Sequence, residues 1–484
     1  MKLTDTSSPG SRTRRHLTLI CVGALGVGAV LIGQQRLPQL PAPSEAHPNP
    51  SRVIPRPEGA QLKVPEGFSV SIYADDLQSA RMMEWAPNGD LFVSQTGANM
   101  ITVLRDTNND GTPDMRSVFA QGPAPARRGG PPPAAAAGPG ADRGGAPGAG
   151  RGPGAGAPPA AGAPPAGVPP PGAGQGVGAA ARGGAPPQPL CTGDAVGGRQ
   201  PLGLAFQPGY LYVGYTDCIA RYKYQPGDTQ ASRPERLVDL PGGGNHFARN
   251  ITFSRDGKKM YVTVGSGSNN NEGEDVRRAA INEYNADGTG FRLFASGLRN
   301  PTALAWQPGT NTLWTTVNER DNLGDDLVPD YFTSVKDGGF YGWPFSYIGQ
   351  NYDPLHVGKL PNLVKTAIIP DVLLPAHAAA LGAAFYTGTQ FPQRYRNGAF
   401  IAMHGSWNRS KANGYKVGFV PFQNGKPGPM EDFLTGFVVN DGTDGQITAW
   451  GRPVGVTVGR DGSLLVSDDG GNRIWKVSYS AGRK

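Results

Sequence analysis

The chain has 484 residues and a formal charge of +7, with 72 Gly, 47 Pro and 17% charged residues. Its lysines and arginines are scattered and make no basic stripe interleaved with aromatics, which argues against nucleic-acid binding. The modest positive balance suits a small anionic ligand.

At the N-terminus Arg12, Arg14 and Arg15 precede an uncharged apolar run from Leu17 to Gly33. A run of this length falls between a signal-peptide core and a spanning helix. Thr-Arg-Arg-His-Leu (Thr13 to Leu17) loosely resembles a twin-arginine signal. Residues 1–33 are therefore expected to be a signal peptide or a membrane anchor, and the protein to be exported. Residues 34–60 are Pro-rich and polar and read as a tether. The folded domain is expected over 61–484.

Six copies of one phrase recur along that domain, each an apolar alternation, a turn and a second apolar run. They are 82–94, 202–214, 250–265, 302–317, 383–403 and 454–468. The turns carry Asn-Gly, Pro-Gly or Asp-Gly, which supply the positive φ of short hairpins. A hairpin cannot bury its own apolar face, so the copies must stack on one another. The expected fold is all-β, a six-bladed β-propeller. The strand-like alternation at Gly67–Ala74 is expected to add an outer strand to the last blade and join the two chain ends, removing an open edge.

Between the first and second copies, residues 122–190 are almost wholly Gly, Pro and Ala, with arginines. Such a composition buries too little apolar surface to offset its ordering entropy, and it reads as a disordered insert. Of the three cysteines, Cys21 lies in the apolar leader. Cys191 and Cys218 can pair in an oxidising compartment or stand as two buried thiols.

Candidate chemistry lies between the repeats. Leu104–Asp114 places Asp106, Asn108, Asp110 and Asp114 at calcium-loop spacing, but Ser117 stands where a bidentate Glu is needed. His246 follows three glycines and is either a proton acceptor or a buried structural histidine. Arg299 with Asn300, and Arg452, each stand just before an inner strand, a position that faces the axial mouth of a propeller. Arginines there either call for an anion or are structural and bonded to loop carbonyls. Glu319, Asp321, Asp325, Asp326 and Asp330 crowd one insertion, which suits a Ca²⁺ site or a solvated acidic loop. The loop 338–344 (GGFYGWP) can wall a flat ligand, and His404, Arg409 and Lys411 share another loop.

HFARNITFSRDGKKMYVTVGS, GLRNPT, NERDNLGDDLVPDYFTSVKDGGFYGWP and HGSWNRSKANGYK together resemble the soluble quinoprotein sugar dehydrogenases, especially their sorbosone-dehydrogenase-like branch. The resemblance covers 67–121 and 192–479. It implies a six-bladed propeller binding pyrroloquinoline quinone (PQQ) and Ca²⁺ at the axial mouth. It also implies a small sugar substrate and a periplasmic or artificial electron acceptor. It places the family's catalytic histidine on His246, its quinone-contacting Arg-Asn pair on Arg299 and Asn300, and its last-blade arginine on Arg452. The metal is implied at Glu319, Arg320 and Asp321, mainly through backbone carbonyls. Gln200 aligns across a gap with a glutamine near the cofactor. The chain departs from the glucose-oxidising members at Phe247-Ala248-Arg249, where they carry glycines. The family's cofactor lysine has no counterpart in place; His404, Arg409 or Lys411 stands in its segment.

Two other readings use the same fold. One is a Ca²⁺-dependent lactonase, which would need carboxylates and amides from several blades around an axial metal. The other is a carbohydrate-binding propeller without catalysis.

Overall fold

The computed structural model of the protein describes residues 37–123 and 200–480. The leader (1–33), most of the 122–190 insert and Cys191 lie outside the described residues. Cys218 is disulfide-bonded. Among the described residues no helix is long and apolar enough to cross a membrane.

Every repeated phrase forms two adjacent antiparallel strands, and two further strands complete each sheet. The sheets, innermost strand first, can be followed in chain order. The first is Ala80–Trp85, Leu91–Gln95, Met100–Arg105 and Met115–Gln121. The second is Leu204–Gln207, Tyr210–Tyr215, Cys218–Lys223 and Glu235–Asp239. The third is Ile251–Phe253, Lys259–Val264, Ala280–Asn285 and Arg292–Ser296, extended by Gly339–Phe340. The fourth is Ala305–Trp306, Leu313–Val317, Pro329–Ser334 and Val372–Ala376. The fifth is Ala380–Phe385, Ala399–Met403, Lys416–Val420 and Glu431–Leu434. The sixth is Pro453–Val458, Leu464–Asp468 and Arg473–Tyr479, with Phe68–Ala74 as its outer strand.

The turn glycines Gly209, Gly257 and Gly309 have φ of 79°, 69° and 72°, the left-handed region a side chain resists. Phe68–Ala74 pairs antiparallel with Arg473–Tyr479, from Phe68 opposite Tyr479 to Ala74 opposite Ile474. The last sheet is thus built from both ends of the domain.

The core is divided between neighbouring sheets. Phe92 and Ile101 pack with Leu211 and Val213, joining the first sheet to the second. Tyr212 and Ile219 pack with Val262 and Tyr284. Ile281 packs with Leu313 and Tyr331. Trp314 and Phe332 pack with Phe385 and Ile401. Phe400 and Val417 pack with Val466 and Trp475. Leu465 and Ile474 return to Leu91 and Val93 of the first sheet. Each sheet is apolar on both faces, so each needs two neighbours, and this need closes the succession on itself.

Met83, Leu204, Ile251, Ala305, Ala384 and Val456, one from each innermost strand, line a single cavity of about 250 Å³. The arrangement is that of a β-propeller around an axial cavity. Loops preceding the innermost strands gather at one end of it.

The structure corrects two expectations. Residues 37–60 are a strap held to the domain. Ser44 N–H donates to Leu323 O (2.9 Å), Asn49 N–H to Trp407 O (2.9 Å) and Ile54 N–H to Ala449 O (2.9 Å). Arg52–Val53 pairs parallel with Thr448–Ala449. Extended proline-rich backbone leaves its N–H and C=O groups free to meet such partners. In the fourth sheet, Pro329–Ser334 lies within the expected insertion yet is a regular strand. The added segment is 335–371, and its Gly339–Phe340 extends the third sheet in parallel with Ala295–Ser296.

Candidate active site

The loop before the third sheet is fixed by two arginines. Arg278 Nη2 donates to the carbonyls of Pro241 (3.0 Å), Gly242 (2.7 Å) and Gly243 (2.9 Å). Arg249 is fully buried and donates to the carbonyls of His246 (3.0 Å), Ala248 (2.8 Å) and Pro241 (2.9 Å). Gly244 has φ of 77°, and a Cβ there would lie 2.6 Å from Gly267 Cα. Only glycine lets the loop dock so closely.

Docking brings His246 Nδ1 to 2.8 Å from Ser266 O. A carbonyl only accepts, so this contact places the proton on Nδ1 and leaves the lone pair on Nε2. Burial, with the positive Arg299 nearby, lowers the His246 pKa to about 3. The ring is therefore neutral near pH 7, with Nε2 free to accept a proton.

Arg299 and Asn300 stand in the next inter-sheet loop. Arg299 uses all five of its donors: Nε to Asn269 O (3.0 Å), Nη1 to Asn318 O (3.3 Å) and Glu319 O (2.6 Å), Nη2 to Asn269 Oδ1 (2.9 Å) and Asp321 Oδ2 (2.8 Å). Trp343 Nε1 donates to the same Asn269 carbonyl (2.8 Å), which ties the aromatic loop to the site. Asn300 Nδ2 donates to Asn318 Oδ1 (3.1 Å), while its Oδ1 is buried without a hydrogen-bond partner. A Cβ at Gly265 would lie 2.3 Å from that Oδ1 and 2.6 Å from His246 Cβ. Gly265 is what allows the histidine and the asparagine to approach.

The acidic insertion divides by environment. Burial pushes Glu319 up to about 8 and Asp330 up to about 6. Burial also raises Asp321, but Arg299 and His377 outweigh it and hold the carboxyl at about 2. His377 Nε2 lies 2.9 Å from Gly324 O, and its Nδ1 is 3.5 Å from Asp321 Oδ1. Burial lowers the His377 pKa, yet Asp321 more than offsets it and the net shift is upward. Arg320 turns to a different carboxylate and pairs with Asp353.

A second charged cluster forms where the last loops meet the first sheet. Arg452 Nε donates to His404 O (3.1 Å) and Nη2 to Gly405 O (3.2 Å). His404 Nε2 lies 2.7 Å from Asp469 Oδ1, and Arg81 Nη2 is 2.7 Å from Asp469 Oδ2. Burial and then the Arg452 charge lower the His404 pKa to about 4. The Arg81 guanidinium sits 5.5 Å from the ring centre of Phe247, the residue after His246. That stacking connects the cluster to the histidine loop.

The structure thus gathers His246, Arg299, Asn300, Glu319 and Asp321, with Arg452 in the adjoining cluster. Two other expected residues are held by partners of their own. Gln200 sits between the first two sheets, its N–H donating to Asn99 Oδ1 (2.8 Å) and its Oε1 accepting from Thr216 Oγ1 (3.0 Å). Arg409 binds Asp325 O (2.6 Å) and Asp326 Oδ1 (2.7 Å), neutralising the outer part of the acidic insertion.

The Asp106 loop satisfies its own carboxylates. Asp106 accepts from the N–H groups of Asp110 (3.2 Å) and Gly111 (2.7 Å), and Asn108 accepts from Asp110 N–H (2.9 Å). Asp110 accepts from Thr112 N–H (2.8 Å) and Asp114 from Thr107 N–H (3.0 Å). Lys476 Nζ donates to Gly111 O (2.9 Å) and brings a cation of its own. Among the described residues no group of three or more His, Cys, Asp or Glu is placed to hold a metal ion.

Sequence reasoning missed Asn269, His377, Arg81 and Asp469. Arg81 carried a readable signal, since it stands just before a repeated phrase as Arg299 and Arg452 do. Asn269 and His377 carried none, because their roles depend on which loops meet.

Comparison with known proteins fits this architecture. The glucose / sorbosone dehydrogenase family model matches residues 207–406, and a TrAA12-like model matches 364–480. The solved structure of the PQQ domain of a pyranose dehydrogenase from Coprinopsis cinerea covers 88% of this chain and 98% of its own, with a TM-score of 0.61 at 19% identity. The chain belongs to the soluble PQQ-dependent sugar dehydrogenase family. Within reach of this family are two curated relatives. An uncharacterised protein of Borreliella burgdorferi is 30% identical over 296 residues, 58% of this chain and 76% of that protein. The pyrroloquinoline quinone-dependent pyranose dehydrogenase of Coprinopsis cinerea is 25% identical over 327 residues. That alignment spans 55% of this chain and 44% of the longer fungal protein.

Proposed function

We propose that the protein is an exported quinoprotein oxidoreductase on a six-bladed propeller, oxidising an aldose sugar or a related aldehyde to a lactone or an acid. Each four-stranded sheet is taken as one blade, and the apolar run 17–33 behind its arginines supports export. The observation that carries the reading is the His246 Nδ1 contact with Ser266 O, which leaves an unprotonated Nε2 in a loop stacked against Arg81.

The residues suit the expected quinone directly and Ca²⁺ only by an exchange of partners. Arg81 pairs with Asp469, which also meets His404, while the Arg452 guanidinium beside them has only the carbonyls of His404 and Gly405, so an anion would balance it. A flat tricarboxylate meets that need. Arg299 and Asn300 face the same loop, and Asn300 Oδ1 awaits a donor. For Ca²⁺ the hard oxygens at hand are the backbone carbonyls of Glu319 and Asp321 and the Asp321 carboxylate, which now accept from Arg299, Arg320 and Asn269, so a bound Ca²⁺ would take them from those donors. When bound, PQQ supplies a two-electron acceptor and Ca²⁺ a Lewis acid at its carbonyl.

His246 Nε2 accepts the proton of the sugar hydroxyl as the adjacent carbon is oxidised, and the Ser266 carbonyl stabilises the imidazolium by holding Nδ1–H. Arg299, locked by Asn269, Glu319 and Asp321, presents fixed positive charge where negative charge develops. Trp343, 8% exposed and bonded to the Asn269 carbonyl that Arg299 also uses, excludes water from that side.

The lactonase reading has no observation in its favour, since the acidic groups come from one insertion and two of them are met by Arg299 and Arg409. The test is dye reduction by purified protein given PQQ, Ca²⁺ and a panel of neutral aldoses. Turnover that needs the quinone and is lost on chelation supports the reading. Hydrolysis of lactones without quinone overturns it.

A further inference from the structure

We propose that Arg81 is a cofactor-binding residue, forming with Arg452 a two-guanidinium clamp on a carboxylate of the quinone. The inference rests on the quinoprotein reading and adds a residue that no sequence motif assigns.

Arg81 belongs to Ala80–Trp85, the innermost strand of the first sheet, at the point where Arg299 and Arg452 precede theirs. Its Nη2 takes Asp469 Oδ2 (2.7 Å), and the other oxygen of that carboxylate is held by His404 (2.7 Å). The Arg452 guanidinium makes no ion pair with Asp469 among the described residues and donates only to the carbonyls of His404 and Gly405. The two guanidiniums form one ion pair between them, Arg81 with Asp469, whose side chains are only 16% and 9% exposed, while the neighbouring Asp468 accepts from the Arg452 backbone N–H (2.7 Å). Unbalanced charge out of water is costly until a counter-ion meets it.

The clamp also has donors to spare. Arg81 Nε is buried without a hydrogen-bond partner. Among the described residues no hydrogen bond uses Arg452 Nη1. A guanidinium fork matches a carboxylate in a plane. Phe247 fixes the plane of Arg81 at 5.5 Å, and Tyr415 lies 5.7 Å from the Arg452 guanidinium carbon. Because Phe247 follows His246, a carboxylate held here places the rest of its ring system beside the base.

The test is equilibrium dialysis of PQQ with Ca²⁺ against full-length wild-type protein, Arg81→Met, Arg81→Lys and Arg394→Met. Arg394 pairs with Glu431 on the fifth sheet and removes the same charge elsewhere. The expected result is quinone affinity about 10- to 100-fold weaker in Arg81→Met, intermediate in Arg81→Lys, and within about twofold of wild type in Arg394→Met. Melting of the quinone-free variants checks the fold, and Arg81→Lys carries the comparison if Arg81→Met melts early. Wild-type affinity in both Arg81 variants overturns the proposal while leaving the quinoprotein reading intact. Unchanged quinone affinity with a raised KM for a hexuronate, but not for a neutral aldose, also overturns it and moves the carboxylate to the substrate. A wild-type protein that binds no quinone overturns the quinoprotein reading itself.

Discussion

His246 Nδ1 lies 2.8 Å from the carbonyl oxygen of Ser266. This contact selects the tautomer, because the carbonyl demands a proton on Nδ1 and so keeps Nε2 bare. The glycines around it serve that contact. Gly244 lets the loop reach Gly267, and Gly265 makes room for the His246 side chain.

His246→Gln is expected to lower kcat by about 10²- to 10⁴-fold, the usual worth of a positioned base. Quinone affinity should stay within about threefold, since the charged residues are untouched. Because the ring titrates at about 3, the base stays unprotonated across pH 5–8. A pH profile of kcat/KM should show no acid limb from His246 in that range.

Gly265→Ala tests the approach of two blades. The new Cβ would fall 2.3 Å from Asn300 Oδ1 and 2.6 Å from His246 Cβ. Overpacking of this kind costs about 1–3 kcal/mol. A displacement of His246 by even 1 Å is expected to reduce kcat/KM about 100-fold. Urea unfolding and steady-state kinetics on the same preparation separate the two effects.

Arg299→Ala should destabilise the fold as well as the site. It leaves the Asp321 carboxylate and the Glu319 carbonyl without the partner they share. Removing one member of a buried ion pair costs about 3–5 kcal/mol. Adding Asp321→Ala should recover part of that loss, a non-additivity readable in a double-mutant cycle by urea unfolding.

Glu84 predicts a pH dependence of stability. It lines the axial cavity with Leu204, Ile251 and Val456, and burial raises its pKa to about 8. In the unfolded chain it titrates near the usual value of about 4.3. The folded state therefore holds a proton that the unfolded state has lost. This group's contribution is fully present below about pH 4.3 and is lost as pH rises through 8. Glu84→Gln should reduce the fall in Tm between pH 6 and pH 9, while Glu319, also near 8, keeps part of the slope.

The hairpins were legible because turn glycines and alternation are local signals. The outer strand Phe68–Ala74 was legible because a last blade ending at Tyr479 lacked one. The strap was not: its Pro-rich composition reads as a tether, and its partners Leu323, Trp407 and Ala449 lie hundreds of residues away. The Asp106 loop shows what spacing leaves out. Its spacing fits calcium, but the same carboxylates cap their own backbone N–H groups, a competition that spacing does not reveal. His246, Arg299 and Arg452 were found by position before an inner strand. Arg409 stands in the segment that matches the family's cofactor lysine, and its ion pair with Asp326 is a contact that sequence does not reveal.

The most direct test of the central claim is a single-turnover experiment on wild-type protein loaded with one equivalent of PQQ and Ca²⁺, without oxygen or dye. The absorbance of the bound quinone is followed as a neutral aldose is added. The oxidised quinone spectrum is expected to disappear in one phase in wild type, and about 10²- to 10⁴-fold more slowly in His246→Gln. A bound quinone whose spectrum no aldose or aldehyde changes, or one reduced equally fast in both proteins, would contradict it.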